Sequence, residues 1–487
     1  MIQTQRVVAI QSHLSAPVIG SYIDGAFHSN GSPSIDSINP ACPSDIVAHA
    51  IAASSADVDS AIHSAHAAQK KWSAFSGPAR ADYLYRWADQ INALSSEMSA
   101  IVAREVGKPI GEARGEVSRC VAILRYYAGE AVRDSGQVIP GLTAGSLQYS
   151  VHVPLGVVGL ITPWNFPVAI PLWKAAPALA CGNTVVLKPA ETSLMCAILL
   201  AETAKAAGIP EGVFNVLLGD GPSLGASILG HKLIRGVSFT GSARVGSLVA
   251  EQCAKRNIKF QTEMGGKNAA IVMPDAHLKQ AAHLVAGGAM RFAGQKCTAT
   301  SRVIVHRDIR RAFELELVSA IEALKVCDPM EADCAVGPVI TSTSRDRIVA
   351  ALEGAGEPAY KGSTPSDGFY VAPTLFVDVD SSSPLAQDEL FGPVLAMIDA
   401  EDLDHSIEIA NGVEFGLSAS LFSKDISSAL KYATRIEAGL VRVNADTTGV
   451  DPHAPFGGVK GSSSGSREQG PAAKDFYTEI KTVQINP

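Results

Sequence analysis

The chain has 487 residues, too many for one hydrophobic core, and 47% are apolar against 18% charged, which excludes a disordered chain and predicts two or three globular domains. A formal net charge of -8, with no long basic run, excludes an ordinary nucleic-acid-binding surface. The eight cysteines (42, 120, 181, 196, 253, 297, 327 and 334) form no C-x-x-C pair, so neither a zinc site nor a disulfide framework is expected, and a reducing, cytoplasmic setting fits.

The start, MIQTQRVVAIQSHLSAP, lacks the basic region and sustained apolar stretch of a signal peptide. Residues 1 to 50 are short polar and Pro-punctuated pieces that read as hairpins and loops. Asp57 to Trp72 places Val58, Ile62, Ala65 and Trp72 on one helical face. Ala79 to Glu105 reads as one long amphipathic helix ended by Gly107 and Pro109, and Gly111 to Val132 as another. Asp134 to His152 alternates like strands and is expected to leave the body as an arm. Val151 to Trp173 has the length and lack of charge of a membrane helix, but Pro154, Pro163, Pro167 and Pro171 argue instead for a buried strand followed by a loop, so no membrane partner is expected.

From Val157 the pattern becomes α/β. Strand-like VVGLIT, TVVLK, VFNVLL and GVSFT alternate with Ala-rich helical stretches, the rhythm of a parallel sheet covered by helices. A second series follows with AAIVM, RVIVH, LSASLF and GLVRV, so two such α/β domains are expected.

Chemistry centres on Gly287 to Arg302, GGAMRFAGQKCTATSR, where small residues surround Cys297. Such a cysteine is either an inert small hydrophobe or a nucleophile that substrate can approach closely, with Lys296 beside it favouring the thiolate. Two strand-to-helix turns can meet a dinucleotide. Gly219-x-Gly221-x-x-x-Gly225 is one residue longer than the usual fingerprint, and such a turn is as often a structural necessity. Phe239-Thr-Gly241-Ser242-Ala-Arg-Val-Gly246 either caps a helix with Ser242 or offers its amides to a pyrophosphate.

Seven stretches in this order, PWNFP (163 to 167), GNTVVLKPAE (182 to 191), FTGSARVG (239 to 246), EMGGKN (263 to 268), GQKC (294 to 297), ELFGPV (389 to 394) and PFGGVKGSSSG (455 to 465), resemble the aldehyde dehydrogenase superfamily over essentially the whole chain. The resemblance implies an α/β fold with two Rossmann-like domains and a small β oligomerisation arm. Residues 1–132 and 152–262 would form the dinucleotide-binding domain, 263–460 the catalytic domain, and 133–151 with 461–487 the arm of a homodimer or homotetramer.

The resemblance also assigns roles. Cys297 would attack an aldehyde, giving a thiohemiacetal whose oxygen is held by the Asn165 amide and the Cys297 N–H, each such donor being worth roughly 3 kcal/mol. Oxidation leaves a thioester, which water activated by Glu263 would hydrolyse. Lys188 and Glu191 resemble contacts to the adenosine ribose, Ser242 the pyrophosphate contact, and Glu389 with Phe391 contacts to the nicotinamide end of NAD or NADP. Gly225, Gly241 and Trp164 fall on the cofactor side. No metal is implied.

The ending departs from the family's usual K-x-S-G-x-G-R-E-x-G, with Ser463 for the first Gly and one extra residue. This variant, with GQKCTATSR, is similar to members acting on short carboxylate-bearing semialdehydes such as α-ketoglutaric semialdehyde; succinic semialdehyde or another small aldehyde is the alternative. Arg291 is then expected to clamp the far carboxylate, with Trp173, Phe166, Ser462 and Phe456 around the substrate. A CoA-acylating dehydrogenase would not need Glu263, a cysteine hydrolase would need no dinucleotide, and a non-catalytic relative would have lost one of Asn165, Glu263 and Cys297.

Overall fold

The computed structural model describes residues 16–133 and 135–487. The reading of the first fifteen residues, and of Asp134, lies outside that range. Two sheets carry the molecule.

The larger has eight strands in the order 463–465, 259–263, 234–240, 157–161, 184–188, 214–216, 21–23, 26–28. The central five are mutually parallel, and the additions at both ends are antiparallel. From Val157–Ile161 the chain adds strands on one side, then reverses to add Ile234–Thr240 and Lys259–Glu263 on the other. The carboxyl ends of Val157–Ile161 and Ile234–Thr240 thus flank a topological switch point, where open α/β sheets bind ligands.

The second sheet has seven strands, 360–361, 374–376, 394–400, 300–306, 268–272, 418–422 and 440–443, parallel except at the Tyr360 edge. Four residues, Met264 to Lys267, join the carboxyl end of Lys259–Glu263 to the amino end of Asn268–Val272. This short link brings the loops that precede the strands of the second sheet up to the switch point of the first.

Most expected elements form, and the departures have local causes. The long helix from Ala79 is two helices, Gly77–Ala93 and Ser95–Val106, separated at Leu94. Asn92, Ser95 and Ser96 around the break are residues whose side chains compete for helix backbone groups. The loop expected after Val157–Ile161 ends early, because Ala169–Ala180 is a fully buried helix that includes Trp173. Pro171 sits in its first turn, where an amide hydrogen has no intrahelical partner to lose.

A separate three-stranded antiparallel sheet combines Gly136–Ile139, Leu147–Pro154 and Thr478–Ile485. Residues 461–477 do not join it. Ser463–Gly465 pairs with Lys259–Glu263 at the edge of the large sheet, and Phe476 and Tyr477 are buried in the main core. The last strand of this sheet therefore begins at Thr478, while the expected arm segment began at residue 461. Among the described residues no helix is long and apolar enough to cross a membrane.

Candidate active site

The Cys297 loop is built from backbone that ordinary residues avoid. The helix Leu278–Met290 ends, and Phe292, Ala293 and Gly294 then take φ of 55°, 52° and 65°. Left-handed backbone costs a non-glycine residue about 1–2 kcal/mol, so surrounding contacts must hold it. Phe292 is fully buried, with its ring 6.4 Å from that of Trp164. Gly294 lies so close to the Gly392 carbonyl that a Cβ would sit 2.3 Å from its oxygen.

Two amides bolt the loop down. Gln295 donates to the Pro338 carbonyl at 3.1 Å and accepts from the Ile340 N–H at 2.9 Å. Asn268 donates to the carbonyls of Cys297 (2.8 Å) and Ala299 (2.9 Å) and accepts from the Ser418 N–H (2.9 Å). Sequence reasoning quoted Asn268 within EMGGKN but gave it no role; its contacts span 29 to 150 residues and leave no local signature.

Cys297 is partly exposed and lines a cavity of about 210 Å³. Burial, then the carboxylates of Glu263 and Glu389, push its thiol up to about 12. The expectation that Lys296 favours the thiolate is corrected here. The Lys296 ammonium pairs with Glu112 at 2.8 Å, and burial together with the two acidic neighbours outweighs any help it gives. In this geometry the thiol is protonated and needs an acceptor for its proton.

Glu263 ends its strand inside the crevice and is buried. Ser463 donates to Oε2 at 2.6 Å, while Oε1 is buried without a hydrogen bond. Burial and then Glu468 raise the carboxyl well above the usual range, against the lowering effects of Ser463, Lys174 and Arg467. Behind it, Lys174 is bonded to Glu468 and, at 2.8 Å, to Ser238. Asn165 donates one N–H to the Gln295 carbonyl at 3.0 Å, which fixes its amide plane and leaves the second N–H available.

On the opposite side of the switch point, Ser242 opens the helix Ala243–Lys255 without capping it through its side chain. The other glycine-rich turn differs: Asp220 caps Gly221–Gly230 by accepting from the Ser223 N–H at 2.8 Å, and Glu191 accepts from the Gly221 N–H at 2.6 Å. Carboxylates thus already occupy amides at the second turn, and the amides after Ser242 are the better place for a diphosphate. Gly241 is packed so that a Cβ would meet the Phe239 ring at 2.5 Å, whereas Gly225 faces open space. Lys188 is buried at the end of its strand, 3.9 Å from Glu191, and burial lowers its pKa against the pull of Glu191 and Asp220.

Glu389 accepts from the Gly266 N–H at 3.1 Å and lies where any Cβ on Gly265 would be 2.0 Å from its Oε2. Burial raises its carboxyl. Phe391, with φ of 53°, presents its ring 5.7 Å from Trp164 in an edge-on arrangement. A crevice with free amides at one end, a ribose-sized carboxylate and lysine pair beside it, and Glu389 with Phe391 at the other suits a dinucleotide.

Around the substrate side, Phe166, Trp173 and Phe456 line the same cavity as Cys297. Trp173 and Phe456 pack with ring centres 5.5 Å apart. Two expected residues fail. Arg291 is exposed and absent from the cavity wall, because at the end of its helix the chain turns Phe292 into the core and leaves Arg291 outside. Ser462 is fully buried, but its hydroxyl is engaged, donating to the Gly265 carbonyl at 2.8 Å and accepting from the Gly416 N–H at 3.0 Å. It supports the loop that carries Glu263 instead of facing substrate. A cation that sequence reasoning missed, Arg119, does line the cavity.

A doubly wound sheet whose switch point suits a dinucleotide, facing a cysteine flanked by a carboxylate and an amide donor, defines an oxidoreductase working through a thiol. The chain belongs to the aldehyde dehydrogenase family, whose model matches residues 27–483. It is 45% identical over 460 residues to an alpha-ketoglutaric semialdehyde dehydrogenase of Bacillus subtilis, covering 92% of this chain and 94% of that one. An alpha-ketoglutarate semialdehyde dehydrogenase of Haloferax volcanii is 42% identical over 456 residues, 91% of this chain and 94% of that one. Among solved structures, the NAD+ complex of an aldehyde dehydrogenase from Bacillus cereus superposes with a TM-score of 0.94 at 34% identity, covering 99% of this chain and 98% of that one.

Proposed function

We propose that this protein oxidises a short semialdehyde bearing a second carboxylate, α-ketoglutaric semialdehyde being the substrate we favour, to the corresponding acid with NAD. The observation that carries the chemistry is the convergence of Cys297, Glu263 with an unpartnered Oε1, and Asn165 with a spare N–H on one crevice. The substrate class is supported by the similarity to the semialdehyde enzymes of Bacillus subtilis and Haloferax volcanii.

Cys297, partly exposed on its cavity, first passes its proton to solvent water, and the thiolate adds to the aldehyde carbon. The second N–H of Asn165 and the Cys297 amide take the oxygen as charge develops on it. A bound nicotinamide dinucleotide supplies the hydride acceptor that carries the Cys297 thiohemiacetal to the thioester; Ser242 and Gly241 would hold its phosphates, with Gly225 close by, Lys188 and Glu191 its adenosine ribose, and Glu389, Phe391 and Trp164 its nicotinamide end. Glu263 then takes a proton from the water that attacks the thioester, and its raised pKa suits a base that must later release that proton. Glu191, held by the Gly221 amide and close to Asp220, would repel a 2'-phosphate, which favours NAD over NADP.

A panel of aldehydes assayed with NAD and with NADP tests this reading. Highest kcat/KM for the five-carbon acidic semialdehyde with NAD supports it; equal or better use of uncharged aldehydes counts against it. Unchanged acid formation on adding coenzyme A separates it from an acylating dehydrogenase.

We also infer that the arm pairs copies of this chain in a cytoplasmic homo-oligomer. Val138 (79% exposed) and Ile480 (67% exposed) leave apolar surface on the arm sheet, and its edges invite a partner. A monomer by analytical ultracentrifugation would refute this.

A further inference from the structure

Among the described residues, the charges around the Cys297 cavity are paired, with one exception. Lys108 bonds Glu116, which also accepts from the Val168 and Ala169 amides at 3.0 Å each. Lys296 pairs with Glu112 at 2.8 Å. Arg119, from the helix Ile110–Glu130, has Nε and Nη2 buried without a hydrogen bond. These atoms share one edge of the guanidinium, the edge that takes a carboxylate through two parallel bonds. Exposed Asp451 acts on Arg119 through space but forms no ion pair with it among the described residues, and Arg442 adds a second positive charge nearby.

The indole Nε1 of Trp173, on the same cavity wall, is likewise buried without a partner. Buried donors are normally satisfied, and an unpaired guanidinium is the most costly of them to leave bare. Three unpartnered donors around one cavity, with Cys297 on its wall, describe a receptor for an anionic group tethered to the reacting carbon. We propose that Arg119, assisted by Trp173, binds the far carboxylate of the semialdehyde and so sets the preference for acidic over neutral aldehydes. This rests on the substrate reading above and moves the recognition role from Arg291 to Arg119.

The test compares kcat/KM for α-ketoglutaric semialdehyde and for pentanal, an uncharged five-carbon aldehyde, in the full-length enzyme with NAD. Removing one partner of a desolvated charge pair should cut the preference for the acid on the order of 30-fold to a few thousand-fold in Arg119→Met. Arg119→Lys, which keeps the charge but not the fork, should recover part of it. Equal losses on both aldehydes would make Arg119 structural and overturn the inference, as would an unaltered preference. A wild-type enzyme that does not prefer the acid would instead sink the semialdehyde reading, and the inference with it. Should Arg119→Met not fold, Arg119→Gln and Trp173→Phe are read by the same ratio, and competitive inhibition by glutarate should weaken in both; undiminished inhibition refutes the proposal.

Discussion

The two ends of the cavity are built on opposite plans. At the reacting end, polar groups are braced by hydrogen bonds within the chain: Asn165 on Gln295, Glu263 on Ser463, and the Cys297 carbonyl on Asn268. The Glu263 brace leaves Oε1 without a hydrogen bond, and Asn165 spends only one of its two N–H groups on Gln295. At the far end, Arg119 and Trp173 have buried donors with no brace at all. Reacting groups must be held to a fraction of an ångström before substrate arrives, whereas a recognition group can take its geometry from the ligand it binds.

The most severe way to break the reacting end is to remove its nucleophile. Cys297→Ser should lower turnover on the order of a thousandfold or more while dinucleotide binding, read by fluorescence titration, stays near normal. Substantial residual oxidation would take Cys297 out of the mechanism, whereas Cys181→Ser and Cys196→Ser are expected to keep activity.

Glu263→Gln comes next. It keeps the side chain's shape but loses the base, so one burst of NADH per site should persist while steady turnover falls on the order of 10²- to 10⁴-fold. Loss of the burst as well would place Glu263 in the activation of Cys297.

A smaller effect sharpens the idea of bracing. Turnover should rise with pH as Glu263 ionises, and because its carboxyl is held above the usual range, the rising limb should lie above the ordinary Glu value of 4.5. The Ser463 hydrogen bond lowers that pKa, so Ser463→Gly should move the limb to higher pH and reduce turnover on its acid side. A pH profile identical to wild type would mean that Ser463 does not brace the base.

The smallest effect is expected at Arg291. Because that side chain is exposed and off the cavity wall, Arg291→Leu should change kcat/KM for acidic and neutral aldehydes by no more than about twofold, as surface substitutions usually do. A selective loss on the acid would return the carboxylate to Arg291 and erase the contrast between the two ends.

Much of the protein was legible in its residues alone. The alternation of Val-rich strands with Ala-rich helices is local information, and it marked four parallel strands in each sheet but not Lys259–Glu263, Thr374–Phe376 or Val394–Ala400. Cys297 stood out by its small-residue setting, whereas Glu263 and Asn165 were singled out only because their stretches resemble those of the aldehyde dehydrogenase family. Tertiary structure alone decided which of two similar glycine turns keeps free amides, since Glu191 reaches Gly221 across 30 residues. It alone turned Arg291 outward through a left-handed kink, brought Ser463 200 residues along the chain to Glu263, and left Nε and Nη2 of Arg119 without a hydrogen bond on the wall of the Cys297 cavity. Residue type and spacing predict what a side chain can do; whether its hydrogen bonds are already taken depends on neighbours distant in sequence, and only the folded chain assembles them.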